Sequence, residues 1–198
     1  MSYRGRELEC KLLVTDPQFT LFTLNLAILA CWSERITRSV FATSTDTYWA
    51  LTSPAEGQFI RARNIDGQGD WQITVKGVDR ESNLDRRELE CRVGTNPVNM
   101  LRLAHGKPVG KIEKQYYVHW IDGSEHTNIS CYQVKSHELE LVIEVESTSL
   151  DMVQHLREKI ERVIDVKEAP GSLYEMLLLE GGSPRSRVLE GPRNEVQK

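Results

Sequence analysis

Short segments in which apolar and polar residues alternate recur along the chain. Glu7-Leu8-Glu9, Glu88-Leu89-Glu90 and Glu144-Val145-Glu146 each place two glutamates around one apolar residue. Because successive side chains of a β-strand point to opposite faces, both carboxylates of each segment lie on one face. Basic residues follow the same alternation, as in Arg61-Ala62-Arg63. The pattern predicts several strands whose polar faces carry charges of both signs.

Two longer stretches have helical periodicity. Asp16-Pro17 has the pattern of an N-cap followed by a proline, and a helix is predicted from there to about residue 32. Its apolar stripe is predicted to be Phe19, Phe22, Leu26 and Leu29. A second helix is predicted from about Thr148, whose spacing to Asp151 is that of a capping box. Its stripe is Leu150, Val153, Leu156, Ile160 and Val163. Short helices are predicted after residues 95–97 and after residues 170–171.

Strands are predicted at residues 6–14, around 61–63, 71–77, 86–93, 111–120, 126–134 and 138–146, and a strand with a turn at residues 37–50. An ordinary antiparallel sheet with one solvated, salt-bridged face is one interpretation of these strands. So many charged strands in one chain favour another, in which the sheet closes around a water-filled interior and its apolar faces pack under helices. Such an interior would bind a polyanion through lysines and arginines, and Mg²⁺ or Mn²⁺ through glutamates.

Composition narrows the class of protein. The 198 residues, 39% hydrophobic and 27% charged, suit one domain, predicted at residues 1–182, and the tail 183–198 is predicted to be disordered. No stretch approaches the roughly 20 apolar residues of a membrane helix, and the start lacks the apolar core of a signal peptide. We therefore expect a cytoplasmic protein without a membrane partner. A net charge of −4 argues against broad nucleic-acid binding, and the four cysteines lack zinc-ligand spacing.

Eight short motifs follow one another in a specific order: RELECKLL at 6–13, DTYW at 46–49, FIRAR at 59–63, WQITVKG at 71–77, RRELECRV at 86–93, IEKQ at 112–115, VIEVE at 142–146 and PGSLYEML at 170–177. This order resembles the CYTH superfamily, also called triphosphate tunnel metalloenzymes, over most of residues 6–180. The resemblance implies an α+β fold with an eight-stranded antiparallel β-barrel and flanking helices. Its tunnel binds a linear triphosphate with Mg²⁺ or Mn²⁺. Members hydrolyse tripolyphosphate, nucleoside triphosphates or thiamine triphosphate, and one branch cyclises ATP.

The resemblance also implies roles for residues of this chain. The implied metal ligands are Glu7, Glu9, Glu144 and Glu146. The implied phosphate-binding residues are Lys11, Arg61, Arg63, Lys76 and Lys114. Glu88, Glu90 and Lys76 are the candidates for catalysis, either glutamate serving to bind metal or to orient water.

Two positions depart from the family pattern. Tyr116 stands where an arginine is common, and residues 126–137 lack the usual aspartate. Ser130 and Cys131 lie nearest to the position of that aspartate. Lys111 has the opposite strand parity and is expected to be a surface lysine, whereas Glu138 and Glu140 either supply the missing charge or lie on a solvated face.

Three functions therefore remain open. The first is a metal-dependent triphosphatase, and the second is an adenylate cyclase that forms cyclic AMP. The third is a non-catalytic protein that binds a triphosphate-containing small molecule, a nucleotide or an RNA 5′ end. A homodimer is compatible with each of them.

Overall fold

The computed structural model describes residues 7–51, 58–67, 69–76, 85–86, 88–124, 126–135 and 141–179. Its strands are β1 (Glu7–Val14), β2 (Ile36–Ala50), β3 (Phe59–Ile65), β4 (Trp71–Lys76), β5 (Asp85–Arg86), β6 (Glu88–Val93), β7 (Gly110–Ile121), β8 (Asn128–Val134), β9 (Val142–Ser147) and β10 (Val166–Glu168). Its helices are α1 (Leu21–Trp32), α2 (Val98–His105) and α3 (Leu150–Glu161), and a π-helix spans Tyr174–Leu179.

All strands pair in one antiparallel sheet, in the order β10-β1-β9-β8-β7-β2-β3-β4-β6. Among the described residues no ladder joins β6 directly to β1. Instead β5 pairs with β1, and β5 and β6 are separated along the chain by residue 87 alone. The ring is therefore completed by chain continuity through β5 and β6, and β10 is an additional short strand on β1. This α+β barrel confirms the predicted fold class.

The outer face of the barrel is apolar and lies under helices. Cys10 and Leu12 of β1 and Ile143 of β9 are buried in one cluster with α1 and α3. A smaller cluster on another side joins Trp49 and Ile60 with α2. Since each fully buried leucine or isoleucine contributes roughly 1.5–3 kcal/mol, these clusters account for the alternation of the strands. The polar residues of the same strands are left facing inward.

Helix α1 differs from its prediction at both its start and its buried face. It begins at Leu21, because Thr20 and Thr23 form a reciprocal capping box, while Asp16 caps only a turn. Phe22 and Leu26 are 60% and 48% exposed. The buried residues are instead Leu21, Leu24, Asn25, Ile28 and Trp32. This helix is apolar on most sides, so the spacing of its apolar residues could not identify the core-facing side.

The other helices agree more closely with prediction. In α3 Val153, Leu156 and Ile160 are buried as expected, but Leu150 is exposed and Ser149 is the N-cap in place of Thr148. Val163, predicted in the same stripe, lies beyond the end of the helix and is exposed. Helix α2 follows residues 95–97 and ends at Gly106, whose φ of +77° suits glycine. The strand β10 was not predicted.

Some predictions lie outside the described residues, namely the disordered tail 183–198 and the roles of Glu138 and Glu140. Within the described part of the chain, no helix is long and apolar enough to span a membrane.

Candidate functional site

The barrel encloses a cavity of about 680 Å³, which is within the usual size of a small-molecule site. Its charged lining consists of Lys11, Arg38, Arg61, Arg63, Asp66, Lys76, Glu90, Arg92, Lys114, Glu144 and Glu146. Its aromatic lining consists of Tyr48, Phe59, Tyr116, Trp120, Tyr132 and Tyr174. The cavity therefore contains most of the residues that the sequence singled out for chemistry.

Three glutamates meet where β1 and β9 pair. Glu9 lies opposite Glu146 in the ladder, and Glu144 lies opposite Lys11. Carboxylate oxygens of Glu9, Glu144 and Glu146 lie within 4.8 Å of one another. From β8, the Asn128 amide donates a hydrogen bond of 2.9 Å to Glu146. The alternation of both strands thus gathers three carboxylates at one place.

Two lysines partly neutralise this acidic cluster. The Lys76 ammonium donates to Glu9 at 3.0 Å, and the Lys11 ammonium donates to Glu144 at 3.1 Å and also pairs with Glu9. Burial alone would raise the pKa of Glu144, but nearby lysines, Lys11 foremost, hold that pKa well below its ordinary value. Glu144 is therefore ionised at neutral pH and able to act as a ligand.

The donor set fits a hard divalent cation. Carboxylate oxygens are the ligands that Mg²⁺ and Mn²⁺ prefer, and the three glutamates are close enough for one ion to draw them together. Glu90 is buried and lines the same cavity. The side chains of the other two predicted glutamates, Glu7 and Glu88, lie outside the described part of the structure.

A second charged cluster surrounds Asp46, which is fully buried. Arg63 donates two hydrogen bonds of 2.8 Å to its two carboxylate oxygens, and the Lys114 ammonium lies 3.4 Å away. Burial opposes ionisation of Asp46, but Arg63 and Lys114 hold its pKa well below the ordinary range. Asp46 is thus the buried counterion that fixes Arg63 and Lys114 in the cavity wall.

The remaining basic residues are also held in defined positions. Arg61 donates to the Thr74 hydroxyl at 2.9 Å. The Lys114 ammonium lies 5.0 Å from the centroid of the Tyr132 ring and 5.8 Å from that of Tyr116. Burial, aided by the neighbouring Arg63, lowers the pKa of Lys114 to about 8. When the cavity holds no anion, the Lys114 ammonium therefore loses its proton as the pH rises through about 8.

Asp46 lies in the DTYW motif at residues 46–49, but no role was predicted for it. The signal that could have identified it is its parity with Tyr48, which lines the cavity. Only the strand register shows that Asp46 lies opposite Arg63. Asn128 was also missed, although it lies in the strand where an aspartate was sought.

The two departures from the family pattern both involve the cavity. Tyr116 lines it, and Ser130 lines it opposite Glu144, whereas Cys131 is buried on the outer face. Lys111 is a surface residue that pairs with Glu113 at 2.6 Å, as its parity predicts.

The chain matches no protein-family model and, at a significant level, no curated protein. It does match solved structures. HpAC1 from Hippeastrum, a candidate adenylyl cyclase with a dominant triphosphatase activity, is 13% identical with a TM-score of 0.61, covering 88% of this chain and 96% of that one. A candidate adenylate cyclase from Vibrio parahaemolyticus is 15% identical with a TM-score of 0.62, covering 86% and 97%.

A chain of the Schizosaccharomyces pombe Mediator head module is also similar, at 11% identity and a TM-score of 0.57, covering 82% of this chain and 98% of that one. At these identities the likenesses concern the fold alone, and they agree with the antiparallel barrel of this chain. The chain therefore shares the barrel fold of these solved structures, two of which are described as candidate adenylate cyclases.

Proposed function

We propose that the protein is a divalent-metal-dependent hydrolase of a triphosphate, which it binds inside the barrel. The observation that carries this proposal is the meeting of two complementary clusters in one cavity. The acidic cluster consists of Glu9, Glu144 and Glu146, and the cationic wall consists of Arg61, Arg63 and Lys114. Tripolyphosphate, nucleoside triphosphates and thiamine triphosphate share the group that these residues would recognise.

The cationic wall would hold the phosphate oxygens. Arg61 and Arg63 suit paired hydrogen bonds to phosphate, whereas Lys114 acts as a compact charge. Because Asp46 holds Arg63 through both of its carboxylate oxygens, the arginine is oriented before the ligand arrives. Phosphoryl transfer depends mainly on such positioning and on charge neutralisation.

The acidic cluster would hold the cation. When bound, Mg²⁺ or Mn²⁺ would polarise a phosphoryl oxygen and favour ionisation of water. Lys11 and Lys76, which contact these glutamates, would neutralise charge on the reacting phosphate. We assign to Glu90, or to Glu88 on the same strand, the orientation of the attacking water.

One incubation tests the proposal. Purified protein is mixed with tripolyphosphate or ATP and with Mg²⁺ or Mn²⁺, and orthophosphate, pyrophosphate and cyclic AMP are resolved. We expect orthophosphate that is lost in Glu144→Gln. Glu113→Gln is the matched control, because Glu113 is an exposed carboxylate paired with Lys111. Failure to release phosphate from either substrate with either metal would refute the proposal.

A non-catalytic binding protein is the second candidate, and the substitutions in the cavity favour it. Tyr116 lines the cavity where the family pattern has an arginine, and Ser130 lines it near the position of the usual aspartate. This chain therefore has fewer charged groups at those two positions to stabilise a transition state. Calorimetry that shows tight triphosphate binding without any product would support this function. Cyclic AMP with pyrophosphate would instead identify a cyclase.

A further inference from the structure

An aromatic residue and a cation lie together in the wall of the same cavity. Trp120 of β7 and Arg38 of β2 are opposite one another in the ladder, and both line the cavity. The guanidinium carbon of Arg38 lies 4.6 Å from the centroid of the Trp120 ring, which is a cation–π distance. The contact fixes the indole while leaving the ring partly exposed to the cavity.

Trp120 lies beside the acidic cluster but away from the cationic wall. In successive ladders Trp120 pairs with Asn128 and Asn128 pairs with Glu146, so two strand spacings, about 10 Å, separate Trp120 from Glu146. Lys114 lies six residues before Trp120 on β7, which places their backbones about 20 Å apart. Three linked phosphates cover only part of that length.

We propose that the ligand is a triphosphate ester carrying a planar aromatic group, which stacks on Trp120. This inference rests on the proposed function, because the triphosphate of the same molecule occupies the region between the acidic cluster and the cationic wall. Inorganic tripolyphosphate has no group that benefits from an indole. A nucleobase or a thiamine-like ring does, since π-stacking on tryptophan requires only a planar face.

Binding measured without divalent metal separates the contribution of the ring from that of the phosphates. ATP, GTP, thiamine triphosphate and tripolyphosphate are titrated calorimetrically into the wild type, Trp120→Ala, Trp120→Leu and Trp120→Phe. Leucine keeps the apolar volume but removes the aromatic face, so it covers the case in which the alanine variant does not fold. Phe41→Ala is the matched control, because Phe41 is an aromatic residue of β2 that is 52% exposed on the outer face.

We expect the alanine and leucine variants to bind the aromatic ester about 5- to 150-fold more weakly, with phenylalanine restoring most of the affinity. Tripolyphosphate affinity should be unchanged in every variant. The ester whose affinity falls most identifies the aromatic ring that stacks on Trp120. Equal losses for tripolyphosphate and the esters, or no loss for any ester, would overturn the stacking role while leaving triphosphate binding intact. If the wild type bound no triphosphate at all, both the inference and the proposed function would fail.

Discussion

Replacing Asp46 by asparagine tests the electrostatics of the cavity wall most directly. The side chain is fully buried, accepts two hydrogen bonds of 2.8 Å from Arg63 and lies 3.4 Å from Lys114. Asparagine preserves its size and one accepting oxygen but removes its charge. The variant therefore leaves the buried Lys114 and the largely buried Arg63 without the carboxylate that compensates them.

The size of the effect follows from this burial. Breaking a buried ion pair by removing one partner costs about 3–5 kcal/mol, against a total unfolding free energy of about 5–15 kcal/mol. For a domain of this length, each kcal/mol lowers the melting temperature by roughly 2–4 °C. We therefore expect Asp46→Asn to melt about 6–20 °C below the wild type.

Thermal unfolding followed by circular dichroism, in EDTA and with or without tripolyphosphate, gives the result. Since the variant has uncompensated cations, tripolyphosphate should raise its melting temperature by more than it raises that of the wild type. Asp122→Asn is the control, because that aspartate is 45% exposed and its pairing with Arg35 contributes little. Asp46 would not be the counterion of this wall if Asp46→Asn had the same melting temperature as the control. The same conclusion would follow if tripolyphosphate raised the melting temperature of Asp46→Asn no more than that of the wild type.

Three further predictions concern titration and metal binding. Because burial lowers the pKa of Lys114 to about 8, its charge is lost as pH rises through that value. The affinity for tripolyphosphate, measured by calorimetry, should therefore fall above about pH 8 in the wild type but much less in Lys114→Arg. The pKa of Asp46 is lower in the folded protein than in the unfolded chain, so ionised Asp46 stabilises the fold fully above about pH 4, and this stabilisation is lost as pH falls further. In urea unfolding, the unfolding free energy of Asp46→Asn should therefore decrease less steeply with falling pH than that of the wild type. Glu144→Gln should lose Mn²⁺ binding detected by electron paramagnetic resonance, whereas Glu113→Gln should retain it, and equal binding by both would remove Glu144 from the metal site.

Alternation along the strands was enough to predict the charged interior, because a period of two places Glu9 with Lys11 and Arg61 with Arg63 whatever the register. It could not show that Asp46 meets Arg63 or that Trp120 meets Arg38, since those contacts depend on which residues of neighbouring strands are opposite. The buried face of α1 was wrong for a different reason. With apolar residues on most sides, only packing against the sheet selects Leu24 over Phe22 as a core residue.

The pairing of Lys11 and Lys76 with glutamates links the two kinds of ligand that the cavity is suited to hold. Without ligand, these ammonium groups occupy carboxylate oxygens of Glu9 and Glu144 and so compete with a cation. A triphosphate that attracts the same ammonium groups releases those oxygens. By thermodynamic reciprocity, a cation bound to the glutamates then raises the affinity for the triphosphate by the same factor. The shared lysines would therefore make cation and triphosphate positively cooperative, each raising the affinity of the cavity for the other.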